Sequence, residues 1–228
     1  MASSDGAAFR RVLDELGAAI IEGRRGAGES DTVDAIVARS GASRSVVREA
    51  TRVLVSLGML TAGRRVGLRV RPRDEWDLLD PQVIRWRLAS PDRTARAAQR
   101  DELRGLRLAV EPEAARLAAE RRTGDEAALF LAVAGDLEAA MIRRDAGAFL
   151  DADRRFHGLL LGAAGNGMLA RLRDVVDEAL RERTPADPAR WEVAPADVAL
   201  HHAVARAVAD GDGDSAALGL RRILLAPA

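Results

Sequence analysis

Residues 41–60 read Gly-Ala-Ser-Arg-Ser-Val-Val-Arg-Glu-Ala-Thr-Arg-Val-Leu-Val-Ser-Leu-Gly-Met-Leu. Their pattern decides the fold. Ser43 is placed to cap a helix, because its hydroxyl can accept from the orphan N–H groups of a first turn, and Gly58 is placed to end it in the left-handed conformation. Between them Val46, Val47, Ala50, Val53, Leu54 and Leu57 recur at helical spacing as one apolar stripe, with Arg44, Ser45, Arg48 and Arg52 off it. One side packs and the other is cationic. Guanidinium groups near the start of an exposed helix suit nucleic acid, since the fork pairs with a phosphate or with O6 and N7 of guanine in the major groove. An isolated Arg-x-x-x-Arg is as readily a solvated charged face, so the flanking sequence has to decide.

Upstream, a small polar start is followed by Phe9, Val12, Leu13, Leu16, Ala19, Ile20 and Ile21, which predict a first helix over Phe9–Ile21. Arg24 to Ser30 is a Gly-rich loop. Asp31 or Thr32 can cap a second helix running through Arg39, and Ser40-Gly41 turns the chain into the third. Two helices joined by so short a turn follow the helix-turn-helix plan. Downstream, Met59-Leu60-Thr61 and Val66-Gly67-Leu68-Arg69-Val70 read as two short strands joined by Ala62-Gly63-Arg64-Arg65. This is a wing, and its Arg64, Arg65, Arg69 and Arg71 are placed to meet flanking phosphates or a minor groove.

The chain of 228 residues is long enough for two domains with separate cores, and we place the boundary at Arg71-Pro72-Arg73-Asp74, giving 1–73 and 74–228. Hydrophobic residues make up 48% and aromatics only 3%, so the cores are built from Ala, Leu and Val packed between helices. A formal net charge of zero hides an asymmetry: residues 1–73 hold 13 Arg against 8 acids, and residues 74–228 hold 22 Arg against 27 acids. The basic part contains the reading helix. There is no cysteine, which excludes a disulfide framework and a thiolate metal site. No apolar run of about 18 residues and no signal-like start is present, so the expectation is a soluble, cytoplasmic protein with no membrane partner.

Residues 1–73 resemble the GntR superfamily of bacterial regulators. Its signature of the type V-S-R-x-x-V-R-E-A-L is matched by Ala42-Ser43-Arg44-Ser45-Val46-Val47-Arg48-Glu49-Ala50-Thr51 and by the Leu57-Gly58-Met59-Leu60 exit. The resemblance implies that Arg44 and Arg48 contact operator DNA; Ser45 lies off the apolar stripe with them, and Arg64 and Arg65 of the wing are placed to join them. The second helix departs from the family's P-S-E-R-E-L-A, because Asp34 stands where that motif has a DNA-contacting arginine. An acid there repels phosphate.

Beyond residue 74, Asp80 caps and Pro81 opens a further helix, on which Trp86 faces inward; Trp76 and Trp86 are expected to pack between the domains. Helices follow at Ala95–Arg121, Asp125–Arg143, Ala146–Ala164, Met168–Arg183, Pro195–Ala209 and Asp214–Leu225. With the Pro81 helix, about seven form an antiparallel all-α bundle. Leu103 to Ala119 resembles the opening helix of the FadR-type effector domain, the FCD domain. The stretch around Trp76 to Trp86 resembles members that answer to sugar acids such as galactonate or gluconate.

The three histidines are His157, His201 and His202. Asp153 precedes His157 by one helical turn, which suits two ligands of one metal ion and equally suits an ion pair on a solvated face. Asp153-Arg154-Arg155-Phe156-His157 resembles the D-x-x-F-H motif of the effector domain, and His201-His202-Ala203-Val204 its next motif. The resemblance implies a divalent metal, zinc first with nickel or manganese as alternatives, held by Asp153, His157 and His201. The family's frequent last histidine falls at Ile223. The resemblance further implies a carboxylate effector held by Arg107, with Asn166 near the pocket, while Arg107 could instead form a surface ion pair with Glu111 and helix-turn chemistry alone accounts for Asn166; Trp191, in the Pro-rich connection before the His201 helix, is placed to close the pocket. The reading as a whole is a winged helix-turn-helix with a helical effector domain: a homodimeric DNA-binding regulator released from its operator by a small carboxylate. A metal-dependent enzyme and a helical scaffold with a structural metal remain as alternatives.

Overall fold

A computed structural model describes residues 2–63, 67–182 and 194–226. The chain divides into two compact units, Met1–Gln99 and Arg100–Ala228.

In the first unit α1 (Ala2–Ile21) precedes β1 (Ser30–Asp31), α2 (Val33–Ser40), α3 (Arg44–Ser56), β2 (Leu60–Gly63), β3 (Gly67–Val70), a single 3₁₀ turn at Arg73–Glu75 and α4 (Pro81–Leu88). The turn chemistry explains these limits. Thr32 caps α2 by accepting from Ala35 N at 3.1 Å, and Gly41, at φ +66°, closes it. Ser43 caps α3 by accepting from Val46 N at 3.3 Å. After Leu57, Gly58 turns left-handed at φ +71°, and a Cβ there would lie 2.3 Å from the Glu75 carbonyl oxygen, so only glycine fits on both counts. The buried stripe of α3 is Val46, Val47, Ala50, Thr51 and Leu54, packed with Val12, Leu13 and Ile20 of α1 and Ile36 of α2.

Three findings differ from expectation. Helix α1 starts at Ala2, before the expected Phe9, and includes the small polar start; Ala8 and Phe9 pack on the core and give this end something to bury. The wing has a third strand, with sheet order β1-β3-β2, all antiparallel, because Ser30 and Asp31 pair with Arg69 and Leu68. Trp76 and Trp86 pack within the first unit. Trp86 lies against Gly17, where a Cβ would meet its ring at 2.6 Å, and donates to Asp14 Oδ1 at 2.9 Å; Trp76 donates to the Arg71 carbonyl at 3.0 Å. A boundary after residue 73 therefore falls inside this unit.

The second unit takes up α5 (Arg93–Arg121), which spans the division, and then α6 (Gly124–Arg143), α7 (Ala146–Ala163), α8 (Gly167–Ala170), α9 (Arg173–Arg181), α10 (Pro195–Asp210) and α11 (Gly213–Leu225). Thr123 and Glu126 form a reciprocal capping box at the start of α6, while Asp145 and Asp212 cap α7 and α11. Helix α10 packs on α6 and α11, α6 on α7, and α7 on α9. Phe130, Val133, Leu137, Phe156, Leu160, Val204, Val208 and Leu220 are buried between them, with the Phe130 and Phe156 rings edge to face at 5.9 Å. Residues 168–182, read as one helix, break at Arg171-Leu172 into α8 and α9. No Gly or Pro lies there to mark the break. No helix among the described residues is long and apolar enough to cross a membrane.

Candidate functional site

The candidate reading face is α3. Its buried stripe fixes the helix against α1 and α2, which leaves Arg44, Ser45, Arg48 and Arg52 on the solvent side. Ser45 Oγ lies 3.0 Å from the capping Ser43 Oγ. Arg44 forms an ion pair with Asp34 of α2, and Arg52 pairs with Glu49 at 3.1 Å. The Arg48 side chain has no hydrogen-bond or ion-pair partner among the described residues. In the wing, Arg69 donates to the Gly28 carbonyl at 3.1 Å and Arg71 pairs with Glu75, so both are engaged within the chain. Arg64 and Arg65 lie outside the described residues.

In the second unit, α7 brings Asp153 and His157 to one face, as their spacing requires, and α10 supplies His201. One ligand atom from each of these three buried residues lies within 4.8 Å of the others. The histidines approach alike. His157 Nε2 is 3.4 Å from Asp153 Oδ1, and His201 Nε2 is 3.2 Å from the same oxygen. Both Nδ1 atoms are turned away to outer acceptors: His201 Nδ1 donates to the Asp197 carbonyl at 2.8 Å, and His157 Nδ1 meets Glu111 Oε2. An Nδ1–H on each ring leaves an Nε2 lone pair facing a carboxylate, which is repulsive unless protons or a cation intervene. Two imidazole nitrogens and one carboxylate oxygen, with their outer hydrogen bonds in place, fit a divalent ion of the zinc type.

Charge in this cluster is set by the chain itself. Burial alone would push the Asp153 carboxyl up, but hydrogen bonds from His157 and His201, and their positive charge, hold it well below the usual carboxylate range. Burial would push the His157 imidazole down, yet the Glu111 charge and the bonds to Asp153 and Glu111 raise it. Glu111, fully buried, would likewise be pushed up; Arg107 and His157 instead hold it at about 2.

Glu111 is the residue the sequence reading passed over. Spacing makes it a surface partner for Arg107, whereas both side chains are buried and Glu111 joins Arg107 to His157. Arg107 Nη2 also lies 3.4 Å from His157 Nδ1. The legible signal was an Arg-x-x-x-Glu pair within an otherwise apolar helical stripe. Asn166 is exposed and caps α8, its Oδ1 accepting from Met168 N at 2.9 Å and Leu169 N at 3.4 Å. Ile223 is buried in the apolar core and offers no ligand atom. His202 Nε2 faces Glu138 Oε2 at 3.3 Å, apart from the cluster. Trp191 lies outside the described residues.

Both halves match known families. Residues 9–70 match the model of bacterial regulatory proteins of the gntR family, and residues 102–226 match the FCD domain. The chain is 31% identical over 211 residues to the galactonate operon transcriptional repressor of Escherichia coli K12, covering 90% of this chain and 89% of that one. Among solved structures, a GntR protein of Streptococcus agalactiae superposes with a TM-score of 0.52 at 21% identity, over 95% of this chain and 97% of the other. The Lar protein of Listeria monocytogenes gives 0.55 at 16% identity, over 95% and 92%. These structural likenesses speak for the fold.

Proposed function

The chain belongs to the GntR family of bacterial regulatory proteins with an FCD domain, and from that premise we propose that it is a homodimeric repressor released from its operator by a small carboxylate, a sugar acid of the galactonate or gluconate class. It is a DNA-binding transcriptional regulator, and the families it matches are regulators rather than enzymes, which displaces the metal-enzyme and scaffold readings. The sugar-acid class follows from the Escherichia coli relative, a repressor of a galactonate operon. The observation that carries the sensor half is the convergence of His157 Nε2 and His201 Nε2 on Asp153 in a buried setting.

On the DNA side, Arg44, Ser45 and Arg48 meet the major groove, with Arg64 and Arg65 beside them on the wing. Two copies fit a pseudo-palindrome, because one winged helix covers one half-site. On the sensor side, Asp153, His157 and His201 hold a divalent ion, zinc first. An ion held there would supply Lewis acidity toward carboxylate and hydroxyl oxygens. Arg107, held by Glu111, contributes the nearby positive charge, and an effector carboxylate that reaches it competes with Glu111 for the guanidinium fork. Asn166 and Trp191 complete the proposed effector contacts, Asn166 through the amide left over from its capping role. The effector then favours an arrangement of the two reading heads that no longer matches the half-site spacing, so effector and operator weaken each other's binding reciprocally.

The test is a titration of DNA from the protein's own upstream region at one fixed salt concentration, with a panel of sugar acids, with and without chelator. Specific binding reversed by one acid, and less readily reversed after chelation, is the expected result. Specific binding that no acid and no chelator changes overturns the sensor half.

A further inference from the structure

The reading helix carries two arginines in different states. The Arg48 side chain has no partner among the described residues, while Arg44, at the first position of α3, is paired through Nη2 with Asp34 in the first turn of α2. The pair does little for the fold: its side chains are 62% and 69% exposed, and exposed pairs contribute little to stability. An acid beside the DNA-facing end of a reading helix also opposes phosphate, so it does not serve affinity. Its chemistry suits discrimination. Guanidinium is a planar fork with five N–H donors, and a carboxylate that takes one end restricts the side chain while leaving Nε and Nη1 to donate elsewhere. An untethered arginine can settle on whichever phosphate is near, and a tethered one presents its remaining donors in one direction.

We propose that Asp34 is a specificity-determining residue that positions Arg44: by holding one end of the guanidinium, it directs the other toward a guanine in the major groove and away from flanking phosphates. The inference rests on the DNA-reading role of α3. Its cost is lower affinity for DNA of every sequence, and its gain is discrimination at one base pair of each half-site. Two residues on different helices, close only in the folded head, set that position together.

The experiment uses the full-length protein and needs no known operator. A duplex library with a random core of about 20 base pairs, enough for two half-sites, yields the preferred sequence of the parent. That duplex and its single-base variants are then titrated at one salt concentration with the parent, Asp34→Ala, Asp34→Asn, Arg44→Ala and the double variant Asp34→Ala/Arg44→Ala. Expected is a loss of roughly tenfold discrimination at one base pair in Asp34→Ala, with tighter binding to random duplex. Asp34→Asn, which keeps an acceptor oxygen without the charge, retains most of the discrimination and also binds random duplex more tightly. In the Arg44→Ala background, Asp34→Ala leaves discrimination unchanged. Equal tightening on all duplexes by Asp34→Ala reduces Asp34 to a repulsive charge and overturns the proposal, as does no change at all. A parent that selects no sequence from the library is a different failure, that of the operator-binding reading. Circular dichroism confirms that each variant is folded, and Asp34→Asn carries the test should Asp34→Ala unfold.

Discussion

Two arginine–carboxylate pairs sit in the two units of this chain, and they are opposites. Arg107–Glu111 has side chains 8% and 0% exposed, and Arg44–Asp34 has side chains 62% and 69% exposed. In the helical unit both charges have been taken out of water, so each depends on the other and on His157. In the reading head each charge keeps its hydration and can exchange its partner for a DNA group at small cost. Burial, more than the identity of the partners, decides which pair holds structure and which is free to act in recognition.

The largest expected effect is on the buried pair. Glu111→Gln leaves Arg107 uncompensated and should destabilise the helical unit by about 3–5 kcal/mol in urea unfolding followed by circular dichroism. A loss below about 1 kcal/mol would erase the distinction between the pairs. The same variant gives a pH signature. The folded carboxyl of Glu111 is held at about 2 against an ordinary 4.5, so the stability it contributes is present above about 4.5 and is lost as the pH falls toward 2. The gap between parent and Glu111→Gln should therefore narrow on acidification; a gap independent of pH would show that shape, not charge, is what Glu111 provides.

Next is the cluster that Glu111 supports. Zinc at about one hundred times its dissociation constant should stabilise the parent by about 2.7 kcal/mol, and should do nothing for His157→Ala. Equal stabilisation of both proteins would place the ion elsewhere. On the exposed side, Arg48→Ala should weaken operator binding by about 1–3 kcal/mol if it reads a base, or lower the salt slope by about one if it meets phosphate. Binding indistinguishable from the parent would remove Arg48 from the reading face. The smallest effect is Asp34→Ala on thermal unfolding, below about 1 kcal/mol. A larger loss would sharpen the comparison by making the exposed pair structural as well.

What the sequence shows and what it hides follow from the range of the interactions. The limits of α3, the turn at Gly58 and the shared face of Asp153 and His157 were readable because each depends on neighbours within a turn or two. The third strand was not, since Ser30 carries no strand pattern and pairs with Arg69 far along the chain. The packing of Trp86 on Gly17 was hidden for the same reason, and with it the extent of the first unit. At the cluster, the motif placed two candidate ligands on one helix, and only resemblance pointed to His201. His201 is turned by the Asp197 carbonyl one turn before it on the same helix, whereas the turn of His157 depends on Glu111 from another helix, which no spacing rule links to it.

The sequence by itself determined a winged helix-turn-helix with a cationic reading helix, an all-helical second half, and the family to which both belong. Helical periodicity, capping chemistry and turn glycines are written into adjacent residues, and each local choice agrees with the others. Tertiary structure alone decided that Glu111 is buried between Arg107 and His157, that His201 closes on Asp153, and that Asp34 holds Arg44. Those are meetings between helices, and their energies depend on how much water is left around each group, which the order of residues along a chain does not specify.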